Sequence, residues 1–514
     1  MPRPRSAAGA MCHGVQCTGR GMPRPDVSAA LDGASVQEGR TVHWGWDCGI
    51  PHGNGPKMTV LTTTDDALGR LRDVLGDRLL APGDAGYDDA RRPWNLVTDQ
   101  RPFAVALPQT DDEVAAVVRA AVASGLRVAP QATGHGAGPL RGVDLSQTLL
   151  VSLRGMRAVT VDTAANTATA QGGAIWHDVL AAAAPHGLTA LHGSAGDVSV
   201  VGYTLGGGVS FYGRAHGLAA NSVRSVRLVT ADGALITASA DENAELFWAL
   251  RGAGGAFGVV VSIELDLLPY PDVFAGLLLW DAARATEVAR AWAAWTATAP
   301  ETVTTSLRLM HFPPVPELPP FISGRSVIVI DGAILETDAA AAALLEPLRA
   351  LAPEMDSFAR IPSAALTAVH MDPPAPSAAV SEHAMLTGID DALIDAFVAA
   401  SFGARPMVSE IRHCGGALAR RCERSGAVGS LDGDYLLSAL AIVPVPEAVP
   451  GGLAATAAVV SALAAWHGTG LALTFVDVPG RDLSPAFGEH AERVVVLHRE
   501  LDPAGVFVAA RPVG

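Results

Sequence analysis

The sequence predicts an α+β protein of two domains, and three observations carry that expectation. Between residues 59 and 270, stretches with apolar residues at helical spacing alternate with short β-branched runs. The segment Pro269-Tyr-Pro271 then breaks the pattern. Beyond it, alanine-rich helical stretches alternate with longer strand runs. A chain of 514 residues has room for two or three domains, at roughly 150 residues each. With 49% apolar and only 17% charged residues, the bulk of it can bury a large core and is not disordered.

Taken in order, residues 1–58 are rich in Gly, Pro, Arg and Ser and show no sustained period. They read as a disordered leader, or as residues before a true start at Met58. An amphipathic helix is expected over 65–75 and a short strand over 104–107. Thr110-Asp-Asp-Glu113 follows as a capping box, with Val114, Val117, Val118 and Ala121 at helical spacing. A strand over 127–130 closes this β-α-β unit. A helix over 175–184 ends at Pro185-His-Gly187. The runs 225–229 and 234–238 form a hairpin across Ala231-Asp-Gly233. A helix over 241–250 leads through glycines to a β-branched run at 259–263. In the second part, helices are expected near 282–298, 338–351 and 450–466, with strands at 326–330 and 435–442. Val408, Glu410 and Arg412 share one face of a further strand.

Charge and composition exclude several classes of function. The 36 basic against 52 acidic side chains leave a net charge of −16, which repels nucleic acid and anionic membranes where no basic patch intervenes. Lys57 is the only lysine, so a phosphate-binding loop of the G-x-x-x-x-G-K type and Schiff-base chemistry have no residue beyond it. The five cysteines, Cys12, Cys17, Cys48, Cys414 and Cys422, contain no C-x-x-C pattern. A disulfide framework and a zinc site are not expected. The apolar stretch 453–466 is shorter than the ~20 residues a bilayer span needs, and the arginines at the N-terminus precede no apolar run. A cytoplasmic protein without metal or membrane anchor is the expectation.

Two loops carry the chemistry. The first, Gln131-Ala-Thr-Gly-His-Gly-Ala-Gly138, places small residues around one histidine directly after a strand, so a ligand can approach its backbone closely. It is not a dinucleotide fingerprint, because Pro139-Leu-Arg-Gly-Val-Asp continues it without a helix. The second runs from His192-Gly-Ser-Ala-Gly-Asp-Val through Gly202 to Gly206-Gly-Gly208, then from Gly213 to Val223. So many glycines suggest backbone amides packed against a flat or phosphorylated ligand. Neither H-E-x-x-H nor G-x-S-x-G occurs, which removes the usual support for a hydrolase.

Together with Trp94-Asn95, the helix over 241–250 leading to Gly255-Ala-Phe-Gly-Val-Val260, and Asp502-Pro-Ala-Gly-Val-Phe507, these loops resemble the vanillyl-alcohol oxidase and p-cresol methylhydroxylase flavoprotein superfamily. Within it they are most similar to the berberine bridge enzyme-like oxidoreductases. The resemblance covers roughly 85–514. It implies a PCMH-type FAD-binding domain over 59–270, an antiparallel-sheet substrate domain over 271–475, and a C-terminal segment, 476–514, that completes the first domain.

The resemblance also assigns residues. His135 stands where the family bonds its FAD covalently. The second link, a cysteine in many relatives, falls on Ala195, so a single link is expected. The cofactor-binding set is His135 with Gln131, Ala132, Thr133, Gly134 and Gly136, then Ser194, Asp197, Val198, Gly202, Gly206, Gly207, Gly208, Asn221, Gly258 and Val260. Gln131, Thr133 and Gly136 replace the family's usual arginine, glycine and serine. Tyr203 falls where a charge on the flavin would be stabilised, and Val198 where oxygen access is gated. The tyrosine of the family's C-terminal N-Y-x-N segment is absent. Glu410, Arg412, His413 and Tyr435 are therefore the candidates for substrate contact and proton transfer, with His370 a weaker one.

The implied activity is oxidation of an alcohol, amine or C–H group of a small natural-product or aromatic substrate, with hydride passing to the flavin and dioxygen as acceptor. A flavin dehydrogenase with another acceptor, and a flavin-binding cyclase without redox turnover, stay open as alternatives.

Overall fold

A computed structural model describes residues 64–513; the leader expected over 1–58 lies outside the described residues. Three sheets organise them. In the first, Ala104–Ala106 and Arg127–Gln131 both run parallel to Thr148–Ser152, which lies between them. The β-α-β unit is thus present with a third strand inserted, a long-range pairing that local sequence does not announce. Its helix, Asp111–Ala123, is capped as expected: the Thr110 hydroxyl accepts from the Glu113 amide at 3.2 Å. Val114, Val117, Val118 and Ala121 face the core. The second sheet is antiparallel and five-stranded, in the order Val159–Asp162, Thr167–Gln171, Val259–Asp266, Val223–Val229, Leu235–Ser239.

The C-terminal segment returns to the first sheet. Val128 donates to the Val506 carbonyl and accepts from the Val508 amide, each at 2.8 Å. Asp502 holds this turn by accepting from the amides of Val506 and Phe507 at 2.8 and 2.9 Å.

The third sheet is antiparallel throughout. Its order is Met355–Asp356, Asp272–Asp281, Ser326–Ile334, Val303–His311, Val408–His413, Tyr435–Ile442, Ala379–Leu386, with Ala359–Pro362 also pairing on Asp272–Asp281. One face, carrying Leu278, Leu307, Ile328, Ile330, Ile411 and Leu437, packs against Val288 and Trp292 of helix Ala285–Thr296, Leu345 of Asp338–Arg349 and Phe397 of Asp391–Ala404. Trp292 is fully buried and its indole donates to Thr305 at 3.0 Å, so the polar atom is satisfied while the ring fills the core. Because side chains alternate along a strand, the opposite face collects Arg308, Met310, Asp331, Val408, Glu410 and Arg412. The described residues belong to one compact unit, Leu61–Gly514, and this second face looks across a cavity at the two glycine-rich loops.

Among the described residues no helix is long and apolar enough to cross a membrane. The apolar stretch over 453–466 instead supplies helix Val449–Ala462, which packs on the third sheet.

Candidate active site

The cavity has a volume of about 750 Å³. Its floor begins where strand Arg127–Gln131 ends. Gly134 takes φ +78°, and a Cβ there would lie 2.6 Å from the Pro93 ring, so only glycine fits. Trp94 donates its amide to the Thr133 carbonyl at 2.9 Å and stacks on His135, ring centres 4.0 Å apart and 18° from parallel. Its indole reaches Asp197 Oδ2 at 2.6 Å, and His135 Nε2 lies 3.2 Å from Asp197 Oδ1. Burial works against charge on Asp197, yet the His135 and Trp94 contacts hold its carboxyl below the usual range. His135 is therefore clamped between an aromatic face and a carboxylate.

Asn95 explains the rest of the Trp-Asn pair. It exchanges two bonds with Ala379, at 3.1 and 3.2 Å, and donates to Asp477 at 3.4 Å. Gly138 is bare because a Cβ would come 1.7 Å from Asp477 Oδ1. Two departures from the family pattern also acquire partners: Gln131 accepts from Gln100 at 3.0 Å, and a Cβ on Gly136 would press on the Arg511 guanidinium at 2.9 Å.

The second loop divides its glycines between two tasks. Gly193, Gly202 and Gly206 line the cavity, together with Ser194, Val198, Gly258 and Val260. Gly207 and Gly208 do not; they turn the chain at φ +105° and +74°. A Cβ on Gly208 would lie 2.6 Å from the Tyr203 ring, and one on Gly193 would lie 3.0 Å from it. The two bare positions thus hold that ring in place. Tyr203 lines the cavity, and its buried hydroxyl has no partner among the described residues; burial raises it above an ordinary tyrosine. Asn221 lies away from the cavity and donates to the Gly429 carbonyl at 3.1 Å. Ala132, Thr133 and Ala195 line the cavity wall.

The roof carries a buried charge cluster. Arg308 lies opposite Glu410 across the strand pair, and its guanidinium bonds Asp331 and, at 2.6 Å, the His370 carbonyl. His370 Nδ1 is 2.8 Å from Asp331 Oδ2 and its Nε2 is 3.6 Å from Glu410 Oε2. Arg412 donates to Glu410 Oε1 at 2.8 Å, and Ser306 donates to Asp331 Oδ1 at 2.9 Å. Burial and the Arg308 charge oppose protonation of His370, but Asp331, Asp372 and Glu410 outweigh them and push it up to about 9. Burial likewise opposes charge on Glu410, and Arg412, His370 and Arg308 hold it far below the usual range. His370 and Glu410 are therefore both ionised at neutral pH.

Glu410 and Arg412 therefore meet the cavity, as does His370, which the sequence ranked low. His413 and Tyr435 do not. They sit opposite each other in register on the other face of the sheet, their rings stacked at 5.2 Å. There His413 meets Arg214, and the Tyr435 hydroxyl shares a bond with Thr296 at 2.9 Å, beside a separate cavity of about 520 Å³. Burial and Arg214 push His413 down to about 3, so it is neutral. Strand alternation accounts for the error: an odd step along 408–413 crosses the sheet. Sequence reasoning missed Arg308, Asp331, Asp372, Asp477 and Arg511. A charge inside an otherwise apolar strand run, as at Arg308 and Asp331, was the signal for the first two.

Residues 102–239 match the family model described as FAD binding domain. The (R)-6-hydroxynicotine oxidase of Paenarthrobacter nicotinovorans is 36% identical over 203 residues, 39% of this chain and 44% of that protein. Glucooligosaccharide oxidase of Sarocladium strictum is 34% identical over 189 residues, 37% of this chain and 38% of that protein. The chain thus matches less than half the length of these curated relatives. Over the fold, Physcomitrella patens BBE-like 1 superposes with a TM-score of 0.74 at 20% identity, covering 86% of this chain and 99% of that one. The 6-hydroxy-D-nicotine oxidase of Arthrobacter nicotinovorans gives 0.71 at 22% identity, covering 84% and 96%. Residues 102–239 thus match the FAD binding domain, and the fold as a whole is the one shared by Physcomitrella patens BBE-like 1 and 6-hydroxy-D-nicotine oxidase.

Proposed function

We propose that this protein is an FAD-dependent oxidase that holds its flavin by one covalent link through His135. Its substrate is a small natural-product or aromatic molecule, oxidised at an alcohol, amine or C–H group, with dioxygen as acceptor. The observation that carries this reading is the juxtaposition across one cavity of the glycine-rich loops and His135 with the ionised cluster around Glu410. The residues fit the cofactor. Gln131 Nε2, the Tyr203 hydroxyl and Arg511 Nε are polar atoms of cavity residues that find no partner among the described residues, and buried polar groups are rarely left so. Relatives named as oxidases support the choice of acceptor. The proposed division places the FAD domain at 59–270 with 476–514, and the roof domain at 271–475.

When bound, the flavin supplies a hydride acceptor at N5. The chain supplies the rest. Glu410 Oε2, ionised and 3.6 Å from His370 Nε2, accepts the hydrogen bond of a substrate O–H or N–H and so orients the substrate. Arg412 and His370 keep Glu410 ionised and oriented. Tyr203 stays protonated across the working pH range, so its hydroxyl is a donor to negative charge. Asp197 and Trp94 fix the His135 ring for attachment.

The decisive experiment is the visible spectrum of purified protein before and after acid precipitation, with the denatured chain viewed for flavin fluorescence on a gel. Colour retained by the wild-type chain and lost from His135→Ala is expected. Colour released into the supernatant from wild type would leave FAD bound but end the covalent claim, and a protein that never binds FAD would end the reading. Mixing reduced protein with air-saturated buffer separates an oxidase, which reoxidises rapidly, from a dehydrogenase.

A further inference from the structure

The register of the roof sheet grades its cavity face from charged to apolar. Successive rows across strands 303–311, 408–413 and 435–442 read Arg308, Glu410, Ser438 and then Met310, Val408, Leu440. One pleat repeat, about 7 Å, separates the rows. Beyond the second row the apolar surface continues. Phe312, Leu318 and Ile322, from the strand end and the loop after it, line the same cavity with Met371 and Met407. Of the six methionines among the described residues, Met310, Met371 and Met407 lie on this wall, and Met355 packs behind it. Methionine is flexible and polarisable, and it lines surfaces that accept varied apolar shapes. Met371 itself sits at φ +56° between His370 and Asp372, a strained backbone of the kind found at ligand sites.

From this gradient we infer the substrate class, resting on the flavoenzyme reading above. The substrate is amphipathic: one hydroxyl or amine meets Glu410 and His370, and an apolar body, a ring or alkyl chain starting about 7 Å away, lies on the methionine wall. An oligosaccharide is disfavoured here although several relatives are named oligosaccharide oxidases. Its hydroxyls recur along its whole length, and those over Met310, Phe312, Leu318 and Met407 would lose water without gaining a partner.

The test is binding of 4-alkylbenzyl alcohols, methyl to hexyl, to the FAD-loaded full chain, read from perturbation of the flavin absorbance and independently from thermal stabilisation. Cellobiose and xylobiose serve as polar comparators. Affinity is expected to rise about fourfold per added methylene while the chain tracks the wall, with both sugars weaker than the hexyl member. Met407→Ser and, separately, Leu318→Ser should flatten that rise and weaken the hexyl member about tenfold, while the methyl member changes less than twofold. Affinity independent of chain length, an undiminished rise in both variants, or tighter binding of the sugars would overturn the inference. The amount of FAD bound per chain, measured first, keeps the two readings apart: failure to load FAD defeats the flavoenzyme reading, whereas normal loading without chain-length dependence defeats only the substrate class.

Discussion

Asp331→Asn tests the charge cluster most directly. The side chain is fully buried, accepts from Ser306, pairs with Arg308 and lies 2.8 Å from His370 Nδ1. The replacement keeps shape and the Ser306 bond but removes the charge that most strongly favours protonated His370. Breaking a buried ion pair by neutralising one partner costs about 3–5 kcal/mol, so the variant should be less stable by that amount near pH 7. The pH dependence sharpens the test. His370 is raised from 6.5 to about 9 in the fold. Its contribution is therefore fully present below pH 6.5 and is lost as pH rises through 9, and the shift corresponds to about 3 kcal/mol at 1.36 kcal/mol per pH unit. Wild type should lose roughly that much stability between pH 6 and pH 9.5 from this residue. In Asp331→Asn the loss should be clearly smaller, because the leading favourable charge is gone while Asp372 and Glu410 remain. Urea unfolding at the two pH values measures both quantities. Equal pH dependence in the two proteins would refute the reasoning, since His370 would then owe its proton to something other than Asp331.

The other expectations follow the same geometry. Glu410→Gln should bind FAD normally yet reduce turnover by about 10–100-fold, the worth of one hydrogen bond to a charged group, as read by anaerobic flavin bleaching with a turned-over substrate. Tyr435→Phe removes the bond to Thr296 on the far side of the sheet and should cost about 1 kcal/mol of stability, while flavin reduction stays within twofold of wild type; a large kinetic defect would contradict the placement of Tyr435 away from the cavity. Trp94→Ala should lower the fraction of flavin that survives acid precipitation, because the ring that stacks on His135 at 4.0 Å is gone, with bound FAD before precipitation as the control.

What could be read from the residues alone was whatever depends on neighbours in the chain. The helix capped at Thr110, the hairpin across Asp232, the break at Pro269-Tyr-Pro271 and the shared face of Val408, Glu410 and Arg412 are set by local spacing and turn chemistry. The glycine loops were also legible as bare backbone that a ligand can approach, whereas the role expected of His135 came from the family resemblance and not from the loop itself. Tertiary structure alone decided the rest. It separated Gly206, which lines the cavity, from Gly208, which packs against Tyr203. Strand pairing placed Arg308 opposite Glu410 and put His413 and Tyr435 on the far face. It also brought His370 within 4 Å of both Asp331 and Glu410, which lie far from it in sequence. The physical reason is that a charge's protonation and role depend on burial and on partners across the sheet, and register, which chooses those partners, is a property of the folded whole.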